Sequence, residues 1–212
     1  MNRSIAEQIN EAQTLINNSR QHPGIQKALT DFGYPLKNLE KGQALLEHFL
    51  LLQSAKRQNY GAKLSATATV HTELEQVKAT YDEHRTLARL AFKDDRGLQT
   101  TLGLYEPYPD RRSAFTVLVT NFYAQLLPHH KAVQRYGLTR AEIEQAQATV
   151  AAFVEAQQQQ AQRKGEAQSA TQKRNQALKK LQQWVRGYRA IVRVALADDP
   201  QLLEALGLLV RM

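Results

Sequence analysis

The chain has 212 residues, of which 42% are hydrophobic and 23% charged, the balance of a folded globular protein rather than a disordered one. It has no Cys, which excludes disulfides, zinc ribbons, cysteine-ligated clusters and thiol catalysis, and its Gly and Pro do not recur at the spacing of a many-stranded β sandwich or barrel. A net charge of +8 favours anionic partners but is modest for a dedicated nucleic-acid binder.

The opening, MNRSIAEQINEAQ, has no apolar core that could serve as a signal peptide, and no run approaches the ~18 apolar residues needed to span a bilayer. A soluble, cytoplasmic protein that does not enter membranes is expected. The first predicted element is a helix whose stripe is Ile5, Ile9, Ala12 and Ile16. After Gly33 and Pro35 comes a first helical arm carrying Leu39, Leu46 and Phe49, which runs to Gly61. Beyond Ser65-Ala66-Thr67 a second arm has the stripe Thr67, Val70, Leu74, Val77, Tyr81, His84, Ala88 and Ala91. Asp94-Asp95 and Leu102-Gly103-Leu104 close it, and a YEPYPD linker follows. The next helix carries Phe115, Val119, Phe122 and Leu126, with Val117, Leu118, Tyr123 and Leu127 making it apolar nearly all round. Such a helix is either central or covered by another chain.

From there the chain repeats itself. Displaced by 104 residues, Lys27–Leu104 lies over Lys131–Leu208 without a gap, and 23 of the 78 positions are identical. The identities include Gly33/Gly137, Gly61/Gly165, Arg85/Arg189, Arg89/Arg193, both Asp pairs and both LGL segments. Amphipathic spacing alone would not align these. In the second copy Thr139 to Glu142 forms a capping box, and Ile143, Ala146, Val150, Phe153, Gln157 and Ala161 form the first stripe. Gly165 suits a helix-ending left-handed residue, and Ser169 to Gln172 reads as a second capping box. The stripe Thr171, Arg174, Leu178, Leu181, Val185, Tyr188, Val192 and Ala195 follows, then Asp199-Pro200 as a helix start and Gly207 as its end.

Each copy therefore reads as a helical hairpin with arms of about 25–30 residues, or about 40 Å. The alternative is a helix continuous through Gly61 and Gly165, at a cost of ~1 kcal/mol per glycine. The hairpin is preferred because a glycine, and a serine four residues later, stand at the same places in both copies. The expected architecture is all-α: residues 1–104 and 105–212 as two repeats whose hairpins pack into one four-helix bundle with extra short helices. Folding each hairpin about its turn would set Glu40 against Arg85 and Glu144 against Arg189 as interhelical ion pairs. The ending ALADDPQLLEALGLLVRM, with the preceding G…SAT segment, resembles the tail of a group of uncharacterised bacterial all-α proteins, a resemblance that implies no activity.

Four-helix bundles can hold two metals through Glu-x-x-His pairs, but Ser19, Leu45, Ala68, Tyr81, Leu126 and Leu127 stand three before the six histidines. No metal or cofactor is expected, and His84 reads as a core or seam residue. There is no G-x-S-x-G elbow and no phosphate-binding glycine loop, so no catalytic residue is assigned and a non-enzymatic protein is expected. The most suggestive feature is the helix between Ala167 and Ala197, with seven cations and no acid. On it Lys179, Arg186, Arg189 and Arg193 share one flank of the apolar stripe and Trp184 lies on the other; these five are the candidate interaction residues. The other candidate surface is a polar hairpin tip at Gln53, Gln157 and the AQQQQAQ run. The leading functional expectation is a structural or protein-interaction bundle, self-assembling or partner-docking. The alternative is nucleic-acid or polyanion binding through the basic helix, expected to be weak because Arg189 and Arg193 recur as Arg85 and Arg89 in a half with a net charge of only +2.

Overall fold

Long runs of Ala, Gln, Glu, Lys, Arg and Leu favour helix at nearly every position. The computed structural model, which describes residues 3–208, is accordingly all-α, with no strand among the described residues. Helix α1 (Ile5–Gln21) opens on a capping box: the Glu7 N–H donates to Ser4 Oγ at 3.2 Å and the Ser4 N–H to Glu7 Oε2 at 2.6 Å. Helix α2 (Pro23–Asp31) starts on its proline and is followed by Gly33 at φ +84°. The very long α3 (Lys37–Ala91) comes next, then the short α4 (Arg96–Thr101), capped by Asp95 through the Leu98 N–H at 2.9 Å. After the linker, α5 (Arg112–Leu126), a 3₁₀ turn (Leu127–His129) and α6 (His130–Gln134) lead to α7 (Arg140–Ala195). The Thr139–Glu142 capping box forms at the start of α7, with N···O distances of 2.7 and 3.3 Å. Helix α8 (Pro200–Ala205) ends at Gly207. Residues 209–212, the end of the tail segment, lie outside the described residues.

The hairpin turns are absent. Helix α3 runs through Gly61 for 55 residues and α7 through Gly165 for 56. Each glycine sits in regular helix facing open space, with nothing beyond the helix's own neighbouring backbone within 4 Å of where a Cβ would stand. Ending a helix leaves four donors or acceptors without intrahelical partners, whereas one interior glycine costs about 1 kcal/mol. Continuation wins. The expected capping box at Ser169–Gln172 is likewise helix interior, where the Thr171 hydroxyl bonds back to Ala167 O at 2.8 Å. Thr67 does the same to Lys63 O at 2.9 Å.

Continuity changes which arms meet. The chain forms two compact units, one of residues 1–60 with 166–212 and one of residues 61–165. The division falls within α3 and α7, not at residue 104, and there are two cores rather than the single bundle core expected from the repeats. In the first unit Leu39, Leu46 and Phe49 of α3 share a core with Leu181, Tyr188 and Val192 of α7 and with Leu15 and Ile16 of α1. In the second, Val77, Tyr81 and Ala88 of α3 share a core with Ile143, Val150 and Phe153 of α7 and with Phe115, Phe122 and Tyr123 of α5. An arm's stripe is thus covered by the other repeat's arm. Helix α5 is buried along that face while Val117 on its outer side is 60% exposed.

The interhelical ion pairs drawn from the hairpins do not form. Glu40 and Arg85 fall in different units, as do Glu144 and Arg189. Instead Arg85 donates to Leu104 O, Glu144 accepts from Arg140 on its own helix at 2.7 Å, and Arg189 pairs with Glu11 at 2.9 Å. Among the described residues no helix is long and apolar enough to cross a membrane.

Candidate functional site

The described part of the first unit carries a groove lined by α1, α7 and the segment after α8. Its larger part is a cavity of about 640 Å³ between Arg3, Glu11 and Thr14 on one side and Arg189, Arg193 and Leu206–Leu208 on the other. A second cavity of about 390 Å³ shares Arg3, Glu11 and Arg189 and extends over Leu178, Leu181, Val185 and Arg186. Helical spacing puts Arg186, Arg189 and Arg193 on one flank of α7, because residues three and four apart lie one above the other. Helix α1 brings the single acid, Glu11, which accepts from Arg189 at 2.9 Å and from Arg3 at 2.5 Å. The groove thus has four guanidinium groups, one carboxylate and an apolar floor.

Three of the five candidate residues, Arg186, Arg189 and Arg193, come together here. Lys179 is exposed and does not line the groove. Trp184 turns to the α3 side, where its indole stacks on Tyr188 (centroids 5.0 Å apart, 10° between planes) and lies over the bare backbone of Gly42. Tyr188 in turn shares a buried hydrogen bond with Ser19, and burial pushes its hydroxyl pKa up to about 12, so it stays protonated. Arg3 and Glu11 carried no signal in the sequence, since the ungapped repeat begins only at Lys27 and an eight-residue spacing across a helix start matches no motif.

At the corresponding place in the second unit the chain fills the space itself. Arg85 and Arg89, equivalent by the 104-residue offset to Arg189 and Arg193, both donate from Nε to Leu104 O, at 2.9 and 2.7 Å. Arg85 also donates to Glu106 O, and Arg89 lies 5.0 Å from the centroid of Tyr105. Tyr108 stacks on Phe115 at 5.5 Å, meets Tyr81 edge-on at 5.9 Å and donates its hydroxyl to Asp82. Burial, with that bond second, pushes the Tyr108 pKa well above its ordinary value. The offset partners of Tyr81, Asp82 and Phe115 are Val185, Arg186 and Glu11. These positions of the second unit are therefore packed with aromatic rings, whereas among the described residues of the first unit they are lined by arginines.

His84 is buried beside this aromatic cluster with Nδ1 3.2 Å from the Tyr123 hydroxyl, and its pKa is lowered chiefly by burial. His71 is exposed. Among the described residues no group of three or more His, Cys, Asp or Glu side chains is placed to hold a metal ion. The Gln53 and Gln157 regions belong to helix interiors and not to hairpin tips. Comparison of the chain with protein-family models, with curated proteins and with solved structures gives no match. Function has to be sought in the groove's own chemistry.

Proposed function

We propose that the protein is a non-enzymatic helical scaffold, built by tandem duplication of a 104-residue unit, that acts by docking another protein. One observation carries this reading: among the described residues of the first unit, Arg3, Arg186, Arg189 and Arg193 line a groove with Leu178, Leu181 and Val185 at its floor. The duplication is supported by the 23 identities and by α4 and α8, whose bounds differ by the same 104 residues. The positive-φ glycines keep the offset too, Gly33 with Gly137 and Gly103 with Gly207. So do two buried hydrogen bonds, Ser19 with Tyr188 and Tyr123 with His84. On this reading the four-helix motif is exchanged, each core taking the first arm of one repeat and the second arm of the other.

The groove's apolar floor favours protein over nucleic acid. A phosphate track needs several exposed cations in a row, and here Arg189 is already paired with Glu11, leaving Arg186, Arg193 and the outlying Lys179 on that flank. Native mass spectrometry of the protein purified without a tag tests the reading. A co-purifying polypeptide or a defined self-assembly is expected. A bare monomer that instead retains nucleic acid, or binds labelled oligonucleotides tightly at physiological salt, would promote the polyanion reading.

A further inference from the structure

We infer that the second unit binds an aliphatic ammonium group, the chemistry of a free alkylamine or of a lysine side chain. The site is a cavity of about 280 Å³ between α4, the segment that follows it and α5. It lies within the second unit, and the inference does not depend on docking at the basic groove.

The polar groups lining this cavity ask for a donor. The Thr100 and Thr101 hydroxyls donate their protons to Arg96 O and Gly97 O, each at 3.0 Å, so they offer a ligand lone pairs alone. Asn121 can accept through its amide oxygen. Glu106 brings the one charge among the described lining residues, a carboxylate with no ion pair among the described residues. Its position depends on Gly103. Glu106 Oε2 stands 3.5 Å and Leu118 Cδ1 3.3 Å from where a Cβ of that glycine would be, so the carboxylate folds over bare backbone beside an apolar side chain. Leu118, Val117 and Phe122 supply the apolar wall. A bare metal cation would leave that wall uncovered, and a neutral alcohol would leave the carboxylate unpaired. An alkylammonium satisfies both, with three N–H donors on a compact head.

The first unit meets the equivalent acceptor with a donor of its own. There the Asn18 amide on α1 donates from Nδ2 to Ala205 O at 2.5 Å. By the 104-residue offset Ala205 is Thr101 and Asn18 is Phe122, whose side chain has no donor. Among the described residues no donor reaches Thr101 O. Phe122 turns inward instead and joins the aromatic core, 1% exposed. Asn10, Gln13 and Thr14 likewise correspond to Ala114, Val117 and Leu118. At these positions the second unit presents an apolar wall beside unmet acceptors, and an ammonium supplies the N–H that its own side chains do not.

The test titrates the full chain with pentylammonium chloride and follows backbone amides in two-dimensional ¹H–¹⁵N spectra. Because Glu106 is exposed, millimolar affinity is expected. Saturable shifts should centre on Thr101, Gly103 and Asn121. Pentanol, with the same chain and no charge, should bind about ten-fold more weakly, and Glu106→Gln should weaken the ammonium by as much, as loss of a charge-assisted hydrogen bond requires. Val117→Lys should also weaken it, by setting an ammonium of the chain's own beside the cavity. Both variant sites are exposed, and an unchanged unfolding midpoint would show that the fold is kept. The peptide acetyl-Gly-Lys-Gly-amide separates the two sources: tighter binding than pentylammonium assigns the site to a partner's lysine, weaker binding to a free amine, and either order supports the ammonium chemistry. No saturation at tens of millimolar ammonium, equal affinity for pentanol, shifts centred elsewhere, or indifference to Glu106→Gln would overturn the inference.

Discussion

Ser19 on α1 and Tyr188 on α7 meet side chain to side chain in the first core, 169 residues apart in sequence and both fully buried. Ser19 Oγ also bonds to Leu15 O at 2.6 Å, so the serine has a second partner, whereas among the described residues the tyrosine hydroxyl has the serine alone. The asymmetry sets the expected costs. Tyr188→Phe should lose about 0.5–1.5 kcal/mol, the net worth of one hydrogen bond. Ser19→Ala should lose more, about 1–3 kcal/mol, because it leaves a buried hydroxyl unsatisfied. Urea unfolding of the two variants, each against wild type, checks the order.

Glycine substitutions distinguish continuous helices from hairpins. Gly61→Ala and Gly165→Ala should each stabilise by about 0.5–1 kcal/mol, since both glycines are helical with nothing near the added methyl. A turn with positive φ would make both changes destabilising. Gly42→Ala should go the other way despite lying in the same helix as Gly61, because its methyl would stand 2.2 Å from the Trp184 ring. Overpacking of that kind costs about 1–3 kcal/mol. Chemical denaturation of the three variants reads all three signs.

Acid should weaken the second core through His84. Burial depresses its pKa below the ordinary 6.5, more than the Glu83 and Glu142 charges raise it. A base that is harder to protonate when folded contributes its full stability above the unfolded value. That contribution is lost as pH falls through 6.5 toward the lower folded value. His84→Gln should therefore flatten the dependence of unfolding midpoint on pH between about 7.5 and 5. An unchanged slope would remove His84 as its cause.

Arg85 and Arg189 occupy one repeat position and should respond differently to Lys. Arg85 is 7% exposed and donates to Leu104 O, which Arg89 also serves, and to Glu106 O, so Arg85→Lys gives up at least one of two charge-assisted bonds and should cost about 1–3 kcal/mol. Arg189 has one ion pair in a partly open groove, and Arg189→Lys should stay within about 1 kcal/mol. Equilibrium unfolding of both variants measures the contrast.

The sequence by itself determined what is local. Helix content, the Thr139–Glu142 cap, the start of α8 at Asp199-Pro200 and its end at Gly207 follow from a few neighbouring residues, each with a definite backbone requirement. The stripe from Leu178 to Val192 was legible for the same reason, and with it the arginine flank beside the stripe. Tertiary structure alone decided which stripe covers which. Hydrophobic burial is non-directional, so the arm carrying Phe49 is equally served by its own repeat's second arm or by the other's. A helical glycine costs too little to force a turn, and that small margin left the choice to packing across more than a hundred residues. The groove was illegible for the same reason. Its Arg186, Arg189 and Arg193 stand on one helix, but Arg3 and Glu11 reach them only because the first and last parts of the chain share a core.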